Sequence, residues 1–209
     1  MRRRNVRNAH ERILKYENII LHPTDLLNIN EMFEKSQPIH LEIGMGKGNF
    51  IIEHAKRNPH INYIGFEKYE SVILQALVKL EELDLPNLKL VCADASNLTK
   101  LFSENIIDKI YLNFSDPWPK VRHAKRRLTS PSFLNIYEHI TKKPTTIEFK
   151  TDNRGLFEYS LVTFNENKYK FNELSLDLHK DKEDIITTEY EDKFSSMGNP
   201  IYYVQVEKC

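Results

Sequence analysis

Glu42-Ile43-Gly44-Met45-Gly46-Lys47-Gly48 is the sharpest local signal in the chain, lying between an apolar run at 39–43 and a helical pattern at 48–57. Glycine at such a junction lets the backbone turn tightly and a ligand approach with no Cβ in the way. The spacing is G-x-G-x-G, with Asn49 in the place of a dinucleotide fingerprint's third glycine. The acid two residues before the first glycine also departs from the dehydrogenase pattern. Two more acids end the next apolar runs: Glu67 after 61–66 and Asp94 after 88–92. An acid at the second position can accept from both hydroxyls of a ribose. One at the third can accept from an adenine amino group.

These groups need a scaffold that brings strand ends together. Short apolar runs at 39–43, 61–66, 88–92, 107–114 and 145–149 alternate with helical patterns at 48–57, 69–84, 97–103, 130–141 and 154–166. Over 69–84, Val72, Leu74, Ala76, Leu77, Leu80 and Leu83 form one apolar face. Strands separated by helices of this length imply right-handed βαβ units and a parallel sheet. The runs 168–175 and 201–207 have no full helix between them and predict an antiparallel terminal hairpin at the sheet edge. The expected fold is α/β: a doubly wound, mostly parallel, Rossmann-like seven-stranded sheet. Ligands in such folds bind beyond the carboxyl ends of the strands, so Glu42, Glu67 and Asp94 are expected to line one crevice. No G-x-x-x-x-G-K-[ST] loop is present, which argues against a nucleoside triphosphatase. Carboxylates without a phosphate cradle suit S-adenosyl-L-methionine, which is cationic and carries no phosphate. Over roughly 39–150 the pattern resembles the class I methyltransferases.

A second constellation follows the fourth run: Asn113-Phe114-Ser115-Asp116-Pro117-Trp118-Pro119-Lys120. Two prolines fix φ and stiffen the loop, which can then hold Asp116 and Trp118 at the crevice mouth. Arg122, His123, Lys125, Arg126 and Arg127 come directly after. An aromatic for stacking, a carboxylate for a base edge and cations for phosphates suit recognition of an extruded RNA base. The bland alternative is a structural Pro-Trp corner beside a solvated basic turn. Asp152, at the end of the fifth run, is a candidate substrate contact or the N-cap of the next helix. Tyr190 and Phe194, at i and i+4, are candidate core anchors.

The bulk properties fit this picture. With 209 residues, 40% hydrophobic and 29% charged, the chain has the make-up of one globular domain. A chain this long buries about 70% of its unfolded surface and needs no disulfide or metal staple. No run is long and apolar enough to span a membrane, and the N-terminus has no apolar segment of a secretory signal. Only Cys92 and Cys209 are present, with no CxxC pair, so no metal and a cytoplasmic location are expected, with Cys92 a buried, inert thiol. Thirty basic and thirty acidic residues cancel, but they are segregated. Residues 120–127 hold five Lys/Arg and no acid, whereas 173–193 carry eight acids against three lysines. Residues 1–15, with five Arg and Lys15 against Glu11 alone, are basic too. Such segregation suggests a local surface for a polyanion. Residues 1–20 read as a basic, flexible arm, and 21–209 as a single catalytic domain.

Taken together, LEIGMGKGNF, GFEKY, ADA, NFSDPWPKVRHAKRRL, FKTDN and TEYEDKFSSMGNPIY closely resemble the bacterial tRNA (guanine-N7)-methyltransferase family from about residue 37 onward. The resemblance implies transfer of a methyl group from S-adenosyl-L-methionine to N7 of a guanine in the tRNA variable loop, leaving S-adenosyl-L-homocysteine. It implies that Glu42, Gly44, Gly46, Gly48, Glu67, Asp94 and Asp116 serve the cofactor, with Asp116 also at the reaction centre as an orienting carboxylate. It implies that Lys120, Asp152, Thr188, Glu189, Tyr190 and Glu191 face the substrate, with the basic run from Arg122 to Arg127 on the tRNA. The protein would act as a monomer or a homodimer. Two rivals remain: an exocyclic-amine methyltransferase, although the Pro-Pro such enzymes use is here Pro-Trp-Pro, and a non-catalytic RNA-binding module on the same fold.

Overall fold

The computed structural model describes Glu11, Ile13, Tyr16 and residues 18–209. The strands are β1 (Ile20–Leu21), β2 (Ile39–Ile43), β3 (Asn62–Glu67), β4 (Leu88–Cys92), β5 (Lys109–Asn113), β6 (Thr145–Thr151), β7 (Lys170–Ser175) and β8 (Tyr202–Lys208). They form one sheet in the order β1-β4-β3-β2-β5-β6-β8-β7. Strands β1 to β6 run parallel, and β8 lies antiparallel between β6 and β7. The sheet therefore has eight strands where the sequence pattern predicts seven. The extra one is β1, whose two residues pair with Leu90 and Val91 and are too few to show a period.

The α-helices whose bounds lie among the described residues are α1 (Ile29–Met32), α2 (Asn49–Arg57), α3 (Glu70–Leu80), α4 (Leu98–Leu101), α5 (Pro131–Ile140), α6 (Arg154–Glu166), α7 (Leu178–Asp181) and α8 (Glu189–Ser195). Helix α2 turns Phe50, Ile51, Ile52 and Ala55 inward, and α3 turns Ile73, Leu74, Ala76, Leu77 and Leu80 inward. With Tyr63, Leu88, Leu90 and Tyr111 they form the core on one face of the sheet. On the other face Leu41, Ile43, Leu112, Ile147 and Phe149 meet Leu134 and Tyr137 of α5 and Phe157 of α6. Burial on both faces explains why the central strands read as continuous apolar runs.

Between β7 and β8 the expectation of no full helix fails: α8 fills barely two turns there. A capping box starts it, with Thr188 accepting from the Glu191 N–H and Glu191 reaching back to the Thr188 N–H. Tyr190 and Phe194 are not core anchors either. Tyr190 is 41% exposed, and its ring stacks on Phe194 at 4.2 Å. The cap of α6 is Asn153, which accepts from the Leu156 N–H at 2.8 Å, and not Asp152. Of the proposed arm, Ile13 is buried and Ile20 belongs to β1. The rest of residues 1–17, apart from Glu11 and Tyr16, lies outside the described residues.

Chain order reverses between β2 and β5: β3, β4 and β1 lie on one side, β6, β8 and β7 on the other. A reversal of this kind opens a crevice at the carboxyl ends of the two strands, because successive connections leave in opposite directions.

Candidate active site

Glu42 stands at that reversal, one residue before the end of β2 and completely buried. Its Oε1 accepts from Asn113 Nδ2 of β5 at 2.8 Å, while Oε2 has no hydrogen-bond partner among the described residues. An unpaired buried carboxylate oxygen is costly and calls for a ligand. Burial pushes the Glu42 carboxyl up to about 7, against the opposing pull of Asn113 and the Lys150 charge. Gly44 and Gly46 follow with φ of 78° and 58°, held by bonds from the Gly44 and Met45 N–H groups to the Phe66 carbonyl. Among the described residues, no atom outside the flanking residues lies within 4 Å of where a Cβ would stand at either glycine, so open space faces this backbone. Gly48 differs: its φ is 82°, and an added Cβ would meet that of Ala76 at 2.9 Å. It serves the packing of α2 on α3.

Glu67 closes β3 and accepts from Gly46 N at 3.3 Å, Lys68 N at 2.8 Å and Tyr69 N at 3.1 Å. It thereby ties the glycine loop to the start of α3. Asp94 accepts from Ser96 N and Oγ and pairs with Lys68 Nζ at 2.5 Å. The Lys68 hydrogen bond, helped by Ser96, holds its carboxyl down at about 2. The three acids thus sit at the tips of the adjacent strands β2, β3 and β4, as expected.

After Asn113 the chain leaves β5 through two left-handed residues, Phe114 (φ 51°) and Trp118 (φ 41°). Such strain in bulky residues needs a brace. Arg127 supplies it, donating to the Pro117 carbonyl at 3.1 Å and the Trp118 carbonyl at 3.0 Å while stacking 4.2 Å over Tyr159. This places Arg127 in the loop's scaffold, with its Nε and Nη2 committed there. Arg126 instead lies over the indole of Trp118 at 4.9 Å, and His123 meets that ring edge-on. Asp116, Lys120, Arg122 and Lys125 are exposed, and their side chains make no hydrogen bond or ion pair among the described residues.

The C-terminal motif divides the same way. Thr188 caps α8, and Glu191 is fully buried, bonded to Lys150 Nζ at 2.6 Å and His179 Nε2 at 3.0 Å. These two side chains build the support. Tyr190 reaches Asp152 Oδ2 at 3.4 Å and lies 5.2 Å from Phe114. Glu189 pairs with Lys79, which also reaches the Lys47 carbonyl and Asn49 at the glycine loop. A groove of about 540 Å³ opens between that loop, α3 and Glu189, beside the strand tips rather than over them.

Residue types alone do not single out Asn113, Ser115, Lys79 or Lys150. Asn113 orients Glu42, Ser115 carries the second buried unpaired oxygen, and Lys150 crosses from β6 to α8. Asn113 and Ser115 fall inside the Asp116 motif and Lys150 inside FKTDN, whereas Lys79 lies in no readable motif. His22, Glu70 and Cys92 bring metal-capable atoms within 4.8 Å of one another. Burial pushes the Cys92 thiol up to about 11, which disfavours the thiolate a metal requires.

A family model described as a putative methyltransferase matches residues 36–204. The tRNA (guanine-N(7)-)-methyltransferase of Bacillus cytotoxicus is 52% identical over 210 residues, covering 99% of this chain and 97% of that protein. The solved structure of the 16S rRNA methyltransferase KamB superposes with a TM-score of 0.68 at 13% identity, over 88% of this chain and 95% of its own. A SAM dependent methyltransferase from Aquifex aeolicus superposes with a TM-score of 0.58 at 12% identity, over 87% of each chain. The last two likenesses show the fold. The family model and the identity along nearly the whole chain go further: the chain belongs to the tRNA (guanine-N7)-methyltransferase family.

Proposed function

We propose that this protein transfers a methyl group from S-adenosyl-L-methionine to N7 of a guanine in the variable loop of tRNA, in the cytoplasm. The observation that carries the reading is the unpaired, buried Glu42 Oε2 beside two glycines whose backbone faces open space. A cationic amino group satisfies that oxygen, and a ligand chain can lie against Gly44 and Gly46 without meeting a side chain. Glu67 and Asp94, one and two strands further along the sheet, are the acceptors for ribose hydroxyls and the adenine amino group. The residues therefore fit S-adenosyl-L-methionine. When bound, this cofactor supplies a methyl group on a sulfonium, electrophilic enough for direct attack by a ring nitrogen, and S-adenosyl-L-homocysteine is the product.

Guanine N7 carries its lone pair in the ring plane and no proton, so the protein needs no general base. Its task is alignment, which can remove several kcal/mol of barrier when reacting atoms are held about 3–3.5 Å apart. Asp116 is assigned to the N1–H and amino edge of guanine, where its charge also offsets the positive charge that N7-methylation leaves on the base. Lys120, Asp152, Glu189 and Tyr190 are assigned to the substrate, with Thr188 and Glu191 holding the helix that carries them. Arg122 and Lys125 are assigned to phosphates. No helix among the described residues is long and apolar enough to cross a membrane.

The test is incubation of the purified chain with methyl-labelled cofactor and an unmodified tRNA transcript, then digestion and mass spectrometry. N7-methylguanosine from the variable loop is the expected product. A methylated exocyclic amine would instead support the exocyclic-amine rival, and cofactor binding with no product would leave an RNA-binding module.

A further inference from the structure

We propose that Trp118 is a stacking platform for a nucleobase of the bound tRNA, and that Arg126 covers it in the free protein and leaves for a phosphate when RNA arrives. This deepens the functional reading above and rests on it for the identity of the ligand. The argument begins with the unequal roles of two neighbouring arginines. Arg127 is fixed: its guanidinium bonds both carbonyls of Pro117-Trp118 and stacks on Tyr159. Arg126 is exposed, pairs with no carboxylate among the described residues, and lies 4.9 Å over the indole.

A rigid ring and a mobile cover follow. Trp118 sits in a left-handed conformation between two prolines, a strained geometry that Arg127 sustains. Its indole is therefore presented by the backbone, independently of Arg126, with His123 closing one edge at 5.8 Å. A cation over an aromatic ring at an exposed site is a weak contact. A phosphate offers the same guanidinium a charge-assisted, two-pronged bond, which is stronger. The vacated indole face is then open to a base, and stacking on an aromatic is sequence-tolerant and substantial. One arrival thus exchanges one contact for two. A structural Pro-Trp corner needs no exposed cation over its ring.

The chain has one tryptophan, so its emission reports on this residue alone. In the free protein, Arg126→Ala should uncover the ring, shifting emission to the red and strengthening quenching by acrylamide. Adding unmodified tRNA to the wild-type protein should quench emission and reduce acrylamide access. Trp118→Leu should bind tRNA roughly tenfold more weakly than Trp118→Phe, which keeps an aromatic face. An Arg126→Ala protein no more accessible to acrylamide than the parent overturns the cover. Wild-type emission that ignores tRNA while N7-methylguanosine forms overturns the platform and leaves the proposed function standing. An emission response without any N7-methylguanosine does the reverse. If Trp118→Leu fails to fold by circular dichroism, the wild-type titration decides.

Discussion

Glu42 joins two demands in one side chain: it must be buried to face the crevice, and burial disfavours its charge. At pH below the ordinary value of 4.5 it is neutral whether the chain is folded or not. Between 4.5 and about 7 the unfolded chain releases the proton while the folded one keeps it, so Glu42 lowers stability progressively as pH rises through that window. Above it the loss is complete, on the order of 3 kcal/mol. Glu42→Gln should therefore raise the unliganded protein's melting temperature at roughly pH 8 and have little effect at roughly pH 4. The same substitution should abolish measurable S-adenosyl-L-homocysteine binding, because the cationic amino group loses its counter-charge. In the parent protein that amino group favours the carboxylate, so binding expels a proton and affinity falls as pH drops below about 7. Calorimetry in two buffers of different ionisation heat reads the proton directly; equal heats would remove Glu42 from the cofactor site. Arg127 makes a different kind of prediction. Arg127→Ala removes two charged hydrogen bonds from the Asp116 loop and should cost about 1–3 kcal/mol of stability. It should lower kcat more than it raises KM for tRNA. Arg127→Lys should not rescue it, since an ammonium cannot fork to two carbonyls and stack on Tyr159 together. A change in KM alone would return Arg127 to the RNA surface.

Helix α8 is the element on which the substrate-facing side chains depend, and it is too short to be stable by itself. Its hold on the body runs through the Thr188 cap and the buried Glu191–Lys150 pair, whose side chains are 0% and 5% exposed. Thr188→Ala should cost about 1 kcal/mol. The effect should appear as faster amide exchange over residues 189–195 with little change in the β2–β5 core. Glu191→Gln leaves the Lys150 ammonium buried without its counter-charge and should cost more, about 3–5 kcal/mol, spreading to β6 and β8. Exchange mass spectrometry separates the two patterns, and uniform loss of protection in Thr188→Ala would show that α8 is not an independent unit. The sequence makes the larger elements legible because their burial leaves a pattern: β2 to β6 as apolar runs, α2, α3, α5 and α6 as helical faces. Strand β1 has two residues and no period, and α8 hides behind a Tyr-x-x-x-Phe spacing that suits a core helix. Its capping box, Thr188 to Glu191, was the readable sign. The Lys150–Glu191 pair spans 41 residues and depends on which residues of β6 face α8, which no local pattern states.

The charge distribution decides where a chain of zero net charge can hold a polyanion. Five of the eight acids in the acidic stretch are paired by lysines and an arginine of the same chain: Glu173 with Lys182, Asp177 with Lys180, Asp184 with Arg57, Glu189 with Lys79 and Glu191 with Lys150. The basic run has no such cancellation, for no carboxylate among the described residues meets Arg122, Lys125 or Arg126. The segregation visible in the sequence is therefore sharpened by folding, since acids find partners and these cations do not. The carboxylates of the site are legible because each lies at or near the carboxyl end of a parallel strand. The pairing that leaves the cations free was not, because it joins segments far apart in the chain, as Arg57 and Asp184 are. Binding should accordingly be governed by a few phosphates at this rim rather than by a general positive field. The logarithm of tRNA affinity should fall linearly with the logarithm of salt concentration, with a shallow slope set by those contacts. Replacing Arg122 and Lys125 together by alanine should reduce that slope by about two, one for each phosphate lost. Arg127→Ala should leave it unchanged, because that guanidinium is committed to the loop. Filter binding across a salt series measures all three proteins, and a double variant with the parent slope would place the tRNA on another face.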